Sequence, residues 1–324
     1  MSHQEFPTQL SAIQERITKI NPLAYAKTRN FLTGAVTRLS PYLSRGVISL
    51  SQIQSSVLDR YSVYQSEKLL QELAWREYYQ RVWQAKGDLI FSDLKQEQPQ
   101  VNHFQMPTAV LKATTGIQAI DEGIENLYTT GYMHNHLRMY TSMLSCNIGK
   151  AHWLLPSQWM YYHLLDGDLA SNALSWQWVA GSFSSKKYVA NQENINKYTG
   201  TNQMHTFLSV AYDMFEQMTV PEILKEKNTL SLSTDLPESD WIDPEEKKVF
   251  IYNSYQLDPE WHVGETGQRI LLLEPSHFEK YPVSQNVLSF IIDLAKQNIP
   301  TIKVFAGSFK ELNERLSDDA TIYY

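Results

Sequence analysis

The sequence predicts a mostly helical domain followed by a smaller α/β domain with a parallel sheet. Through most of the first two-thirds of the chain, apolar residues recur every three or four positions, as they do in amphipathic helices. After residue 248 short apolar runs alternate with helical patterns, which is typical of βαβ units. The intervening stretch is rich in charged residues, Ser, Thr and Pro, which indicates a linker. The sequence therefore divides into 1–222, 223–247 and 248–324.

Start and stop signals set the predicted helices of the first segment. Ser49–Gln52 and Thr115–Gln118 have the spacing of capping boxes, and Gly87 stands just past the end of a helical pattern. Helices are predicted over residues 7–20, 49–61, 66–84, 115–130, 156–166 and 203–217, with a further one through 135–138. In the third segment, strands are predicted over 248–252, 269–274, 301–305 and 321–324, and helices over 287–296 and 310–316.

Composition narrows the possible functions. The net charge of −7 argues against a broadly basic nucleic-acid binder, although a local positive groove stays possible. Cys146 is the one cysteine, which excludes an intrachain disulfide and any four-cysteine iron–sulfur or zinc site. His134 and His136 point apart on a helix, so no metal site is predicted. The sequence has neither a signal-peptide pattern nor an apolar run of eighteen residues, so we expect a cytoplasmic protein without a membrane span.

Polar side chains are concentrated in three blocks, Gly131–Met139, Asp166–Asn172 and Trp176–Trp178. In the first block Asn135, Arg138 and Met139 share one helix face, because positions three and four apart are neighbours. In the second, two aspartates flank a glycine that tolerates a tight turn. An arginine and paired aspartates predict a buried ion pair that faces a polar, planar ligand. A satisfied core network without a ligand uses the same residue types, and the pattern alone leaves both interpretations open.

These three blocks, in this order and at these separations, resemble the FAD-binding domain of DNA photolyases and cryptochromes. The likeness runs from about Tyr25 to about Lys187. The resemblance implies a helical domain that binds FAD. The family's antenna domain normally comes first, but few residues precede Tyr25, so we expect no antenna chromophore in the N-terminal position. The C-terminal α/β segment is a candidate for a displaced and reduced relative of that domain.

The resemblance implies a set of FAD contacts. Arg138 would pair with Asp166, and Asn172 would face flavin N5, where an amide can donate and accept. Thr37–Leu43 resembles the segment that wraps the FAD pyrophosphate, although an ordinary turn before a helix has the same local pattern. The implied cofactor-binding residues are Tyr25, Thr37, Arg38, Leu39, Ser40, Asn135, Arg138, Asp166, Asp168 and Asn172.

The resemblance also implies a cavity for a flipped pyrimidine dimer. Trp75 would supply a stacking face and Glu72 a hydrogen bond to the base edge, as recognition of a flipped base requires. Without the resemblance, an aromatic stripe packed into the core is the simpler interpretation of this helix. The implied substrate and DNA contacts are Arg29, Glu72, Trp75, Asn135, His136, Met139 and Trp178. Asn135 and Met139 are typical of the enzymes that act on cyclobutane dimers.

Trp176 and Trp153 match the inner two members of the tryptophan chain that reduces the photoexcited flavin in this family. The outer member, expected near Val110, is absent, and Trp83, Trp159 or a tyrosine could replace it in space. The implied catalytic residues are therefore Asn172, Trp176 and Trp153, which serve electron transfer, together with Glu72 and Trp75.

The preferred function is light-driven repair of cyclobutane pyrimidine dimers, a carbon–carbon lyase activity on damaged DNA. Two departures weaken the implied DNA contact. His136 stands where many members have an arginine, and the family's Arg-Ile-Phe-Asn-Pro stretch after Trp178 is missing. Lys186 and Lys187 are candidates to compensate, since each phosphate contact adds affinity. The alternative is a cryptochrome-like blue-light or redox sensor without repair, and a third interpretation is a structural protein with an empty pocket.

Overall fold

The structure, a computed structural model, describes residues 5–324. The chain forms two compact units. We call one the helical unit, which comprises Asn21–Val36 and Tyr61–Ser231. We call the other the sheet unit, which comprises Met1–Ile20, Thr37–Arg60 and Leu232–Tyr324. The helical domain and the α/β domain with a parallel sheet are both present, which confirms the predicted fold class.

The α-helices in chain order are α1 Leu10–Thr18, α2 Pro22–Thr28, α3 Ser40–Ser44, α4 Leu50–Leu58, α5 Val63–Lys86, α6 Thr108–Leu111, α7 Gln118–Thr130, α8 Asn135–Met143, α9 Leu154–His163, α10 Leu169–Ala180, α11 Gln192–Thr199, α12 Pro275–Lys280, α13 Gln285–Asn298 and α14 Phe309–Asn313. Short 3₁₀ turns cover Gly87–Phe91, Tyr212–Glu216 and Glu222–Leu224, and a π-helical turn covers Leu144–Ile148. The strands are β1 Met106–Pro107, β2 Lys227–Asn228, β3 Lys248–Tyr252, β4 Gln268–Leu273, β5 Lys303–Ala306 and β6 Thr321–Tyr323.

Capping residues set both ends of helix α5. Ser62 accepts from the N–H of Gln65, and the Gln65 side chain accepts from the N–H of Ser62, which forms a full capping box. Gly87 ends the helix with a φ of 56°, which a glycine adopts without strain. The sequence prediction for this helix was one turn short at its start, because the Ser62–Gln65 signal was not used. The predicted box at Ser49 and Gln52 is confirmed.

Two local predictions were wrong for a shared reason, competition from side-chain hydrogen bonds. Thr115 does not cap α7 but donates to the Asp121 carboxylate at 2.7 Å, and the helix starts only at Gln118. The predicted helix over 203–217 is reduced to the 3₁₀ turn Tyr212–Glu216. There the Thr206 hydroxyl accepts from the N–H of Leu208 at 3.2 Å, which fixes a turn instead of a helix.

The sheet unit contains a four-stranded parallel sheet in the order β5-β4-β3-β6. Ile251 pairs with Ile270 across β3 and β4, and Leu271 pairs with Val304 across β4 and β5. The two central strands are almost wholly buried, which is why they read as continuous apolar runs rather than alternating ones. The predicted strands therefore all occur, within one or two residues of their expected bounds.

The sheet unit also contains N-terminal segments that the sequence analysis assigned to the helical domain. The Asn298 side chain accepts from the N–H of Leu10 at 2.8 Å and donates to the carbonyl of Thr8 at 2.7 Å. Tyr42 and Phe290 pack with ring centroids 6.1 Å apart. These contacts join residues about 250 to 290 positions apart, so no local pattern in the sequence could indicate them.

The core of the helical unit lies among α7, α8, α9 and α10. Trp153, Trp159 and Tyr140 are among its fully buried side chains. Burial of large aromatic residues contributes much of the stability of such a core. In the described part of the chain, no helix is long and apolar enough to cross a membrane.

Candidate functional site

Arg138 and Asp166 form the ion pair that the sequence predicted. Arg138 lies on α8, and its Nη2 donates to both Asp166 oxygens, at 3.0 and 2.9 Å. Its Nε donates to the carbonyl of Met133 at 2.7 Å, which fixes the orientation of the guanidinium. The Asp166 side chain is only 4% exposed, so the ion pair with Arg138 compensates in part for the cost of burying a carboxylate.

Asp168 is held from both of its carboxylate oxygens. One oxygen caps α10 by accepting from the N–H of Ser171 at 2.7 Å. The other accepts from Gln80 Nε2 at 2.5 Å and lies 3.4 Å from Arg76 Nη1. The sequence analysis missed Gln80 and Arg76. Their spacing could have indicated them, because residues 72, 76 and 80 follow one face of α5 at intervals of four.

The same face of α5 carries Glu72 and Trp75. Glu72 lies 3.4 Å from Arg29 Nε and 3.1 Å from Lys68 Nζ. The Trp75 ring packs 5.9 Å from the ring of Tyr79, yet 52% of Trp75 stays exposed. An aromatic stripe that only filled the core would be buried, so Trp75 offers a free stacking face at the surface of the helical unit.

Arg29 interacts electrostatically with three of the predicted positions, Tyr25, Glu72 and His136. Burial raises the pKa of Tyr25 well above its usual range, and the negative charge of Glu72 adds to this effect. Burial also lowers the pKa of His136, and the positive charge of Arg29 contributes. Arg29 therefore lies within electrostatic range of residues on α2, α5 and α8. The structure brings these predicted positions together.

Asn135 and Met139 are adjacent on α8, with Asn135 Nδ2 3.9 Å from Met139 Sδ. Trp178, at the end of α10, is 42% exposed and packs 5.9 Å from the ring of Tyr188. Tyr188 in turn stacks 6.5 Å from Tyr140 of α8. The structure thus connects Trp178 to α8 through the rings of Tyr188 and Tyr140.

The two inner tryptophans, Trp176 and Trp153, are both buried. Trp153 Nε1 donates to the Asp93 carboxylate at 2.7 Å, and His152 Nε2 lies 3.7 Å from the same carboxylate. Asp93 is sixty positions away in the chain, so no local pattern could indicate this contact. The carboxylate accepts this hydrogen bond and places negative charge beside the indole N–H.

Trp159 and Tyr128 lie next to the position where the outer tryptophan was expected. Val110 is fully buried, and the carbonyl of its neighbour Leu111 accepts from the Tyr128 hydroxyl at 2.7 Å. Trp159 Nε1 donates to the same hydroxyl at 3.1 Å. Tyr128 is 37% exposed, so this pair runs from the buried core to the surface.

In the first turn of α10, the side chains of Ser171 and Asn172 have hydrogen-bonding groups that the described residues satisfy only in part. Asn172 Nδ2 donates to the carbonyl of Ser157 at 2.9 Å, which leaves its amide oxygen as the group able to accept. The hydroxyl of Ser171 is buried and has no hydrogen-bond partner among the described residues. A polar ligand at this turn would satisfy it.

The remaining predicted FAD contacts, Thr37–Ser40, belong to the sheet unit. Leu39 is buried, and Arg38 has a φ of 53° and forms an ion pair with Glu5. Helix α3 starts at Ser40 and has only five residues. The role of this segment stays a prediction. Among residues 5–324, no group of three or more His, Cys, Asp or Glu side chains could hold a metal ion.

Comparison with known proteins supports one family for this region. Residues 69–207 match the family model of the FAD binding domain of DNA photolyase. The chain is 32% identical over 172 residues to a deoxyribodipyrimidine photo-lyase of Alkalihalophilus pseudofirmus, covering 51% of this chain and 36% of the relative. It is 33% identical over 169 residues to a photo-lyase of the same name from Synechococcus, covering 49% and 35%. With a cryptochrome DASH of Danio rerio the identity is 31% over 167 residues, covering 48% and 32%.

Solved structures agree on the fold. A cryptochrome of Synechocystis aligns with a TM-score of 0.53 at 24% identity, covering 60% of this chain and 44% of that one. A class III photolyase of Agrobacterium tumefaciens aligns with a TM-score of 0.51 at 23% identity, covering 59% and 43%. The resemblance to the photolyase and cryptochrome family is confirmed over residues 69–207, which match the model of the FAD binding domain of DNA photolyase. The chain spans about a third of the length of the curated relatives it matches.

Proposed function

We propose that this chain binds FAD and uses it for light-driven repair of cyclobutane pyrimidine dimers in DNA. The observation that carries the proposal is the face of α5. Trp75 keeps half of its surface exposed beside the charged Glu72, and the same helix supports Asp168 through Gln80 and Arg76. One helix thus combines a stacking group for a base with support for the cofactor-binding turn.

The residues around the start of α10 fit a flavin cofactor. Arg138 and Asp166 already form an ion pair with two hydrogen bonds before a ligand binds. The unpartnered Ser171 hydroxyl and the free amide oxygen of Asn172 can satisfy polar groups of a planar ligand. The implied cofactor contacts that lie in the helical unit would hold FAD, which supplies light absorption and the transferred electron; they are Tyr25, Asn135, Arg138, Asp166, Asp168 and Asn172. Asn172 would then accept a hydrogen bond at flavin N5.

The substrate groups act by stacking and hydrogen bonding. The exposed indole of Trp75 offers a face to a flipped base, and base–aromatic stacking contributes about 1–3 kcal/mol. Glu72, paired with Arg29 and Lys68, is an ionised acceptor for an N–H on the base edge. Trp178, exposed in the same way, would contact the substrate at the end of α10.

Trp176 and Trp153 would supply electrons that reduce the photoexcited flavin from within the core. Asp93 would stabilise positive charge on Trp153, because its carboxylate accepts the indole N–H. The Trp159–Tyr128 pair supports a route to the surface in the region where the outer tryptophan is missing, since Tyr128 is partly exposed.

A second candidate is a blue-light or redox sensor that binds FAD without repair. The net charge of −7 and His136 in place of the family's arginine favour it, because each lost phosphate contact weakens DNA binding. The exposed Trp75 opposes it, since a sensor has no need of a stacking face for a base.

The experiment uses purified protein that has been reduced and illuminated with near-UV or blue light, mixed with an oligonucleotide carrying a cyclobutane thymine dimer. We expect recovery of thymine absorbance, and loss of that recovery in the Trp75→Ala variant. Tyr64→Ala is the matched control, since Tyr64 is an exposed aromatic residue on the same helix and has no assigned role. FAD content with no recovery would favour the sensor, and protein that takes up no FAD would remove both candidates.

A further inference from the structure

Two lysines converge on one amide oxygen in the helical unit. Lys150 Nζ donates to Gln100 Oε1 at 2.8 Å, and Lys187 Nζ donates to the same oxygen at 2.7 Å. Because both bonds end on one atom, the two nitrogens lie no further apart than the sum of these distances. Both Lys150 and Gln100 have a φ of 61°, so the chain accepts strained backbone at two of the three positions.

The pair has no counter-charge in contact. Lys150 is only 7% exposed, and neither lysine forms an ion pair with a carboxylate among the described residues. Burial, with the neighbouring charge of Lys187, lowers the pKa of Lys150 to about 8. Burial also lowers the pKa of Lys187, while the charge of Glu216 acts in the opposite direction. Holding two ammonium groups this close, with one buried, costs free energy that an anion would recover.

The donor geometry indicates which anion. An ammonium group has three N–H donors, and each lysine spends one of them on Gln100. The remaining donors of two adjacent groups suit a ligand with several acceptor oxygens and a full negative charge. We infer that Lys150, Lys187 and Gln100 form a binding site for a phosphate group.

The position of the site favours a phosphodiester of a bound DNA strand over a free phosphate. Tyr188 follows Lys187 directly, and its ring lies 5.9 Å from Trp178, which the proposed function assigns to the substrate. A strand whose base stacks at Trp178 would pass beside the lysine pair. This choice of source rests on the proposed function, whereas the phosphate site itself rests only on the three residues.

The first test measures binding of the dimer-containing oligonucleotide as a function of salt. Lys150→Gln should reduce the slope of log K against log salt by about 0.7–0.9, the value expected for one lost phosphate contact. Lys95→Gln, at an exposed lysine of the same loop region, should leave the slope unchanged. Parent affinity should also fall as pH rises through about 8, because Lys150 then loses its charge.

Gln100→Glu separates a binding role from a structural one. The substitution is nearly isosteric and supplies a permanent carboxylate, so it should raise the pKa of Lys150 and yet weaken oligonucleotide binding. A purely structural role predicts stabilisation with unchanged binding, which would overturn the inference. Circular dichroism and FAD content verify that each variant is folded.

The second test adds inorganic phosphate to the protein without DNA and follows the Lys150 pKa by NMR of the lysine side chains. A raised pKa in the parent but not in Gln100→Glu supports the site. If phosphate raises the pKa while the protein neither binds nor repairs the oligonucleotide, the site binds a small phosphate compound and the proposed function fails. The inference fails and the proposed function stands if three results occur together: the protein binds the oligonucleotide, Lys150→Gln has the same salt slope as the parent, and phosphate does not change the pKa of Lys150.

Discussion

The helical unit and the sheet unit differ in how deeply the carboxylates of their ion pairs are buried. In the sheet unit, ion pairs such as Lys247–Asp319 and Lys248–Glu265 lie at the surface, where water screens them. In the helical unit, Asp166 and Asp168 are almost fully buried and are held by arginine and glutamine side chains. Buried carboxylates cost free energy unless every lone pair is used. We infer from this comparison that the buried polar network of the helical unit serves a ligand.

The largest loss of stability is expected when a partner of a buried carboxylate is removed. Arg138→Met leaves Asp166 buried without its counter-charge, so we expect a loss of about 3–5 kcal/mol in the free energy of unfolding. FAD content should fall as well. Denaturant titration and flavin absorbance measure both effects. The corresponding change at the surface, Lys247→Met, should leave the unfolding midpoint and the FAD content unchanged, and an equal loss in both variants would contradict the comparison.

The second prediction concerns His163, which packs 4.7 Å from the ring of Tyr128. Burial lowers its pKa from 6.5 to about 4. Because the folded state resists protonation, the stability that neutral His163 contributes is present above pH 6.5 and is lost as pH falls toward 4. The expected loss is about 3 kcal/mol.

Unfolding curves at several pH values would test this prediction. His163→Gln should flatten the dependence of stability on pH between 6.5 and 4. A parent protein with constant stability over that range would contradict the burial of His163 in its neutral form.

A third, smaller effect is expected on the face of α5. Gln80→Leu removes the donor that holds one oxygen of Asp168, so the unfolding free energy should fall by about 1–3 kcal/mol. Gln84→Leu, one turn further along at an exposed position, makes the same chemical change without touching Asp168. Equal stability of the two variants in thermal and denaturant unfolding would show that Gln80 does not support Asp168.

The smallest effect is expected in the sheet unit. Asp240 accepts from the N–H of Val304 at 2.8 Å and covers one edge of the sheet. Asp240→Ala should lower the unfolding free energy by about 1 kcal/mol, the net contribution of one such hydrogen bond. FAD content should not change, since Asp240 is not among the residues that are implied to contact FAD. A loss of flavin in this variant would contradict the prediction that Asp240 affects only stability.

Much of the fold could be predicted from the sequence because its signals are local. The capping residues of α4 and the apolar runs of β3 and β4 depend only on near neighbours, and the structure agrees with them. The turn at Thr206 was missed, because a single hydroxyl competes with the helical pattern that the apolar spacing suggests.

The site could be predicted as a set of residues but not as a network. Spacing indicated Arg138 with Asp166, and intervals of four along α5 would have indicated Gln80 as well. Lys187 was named as a candidate phosphate contact, but the contacts of Gln100 with Lys150 and Lys187 and that of Asp93 with Trp153 could not be found. They join residues that are fifty to eighty-seven positions apart. Only the folded chain brings those groups together.

The contacts of α1 with Asn298 have a consequence for the order in which the protein is made. A chain leaves the ribosome from its N-terminus, so α1 emerges early but its hydrogen-bond partner is synthesised almost 290 residues later. Residues 61–231 complete most of the helical unit long before that moment. We therefore expect the helical unit to fold during synthesis. The residues of α1 would stay without their hydrogen-bond partner, and their apolar side chains accessible to chaperones, until the segment that contains Asn298 has been released.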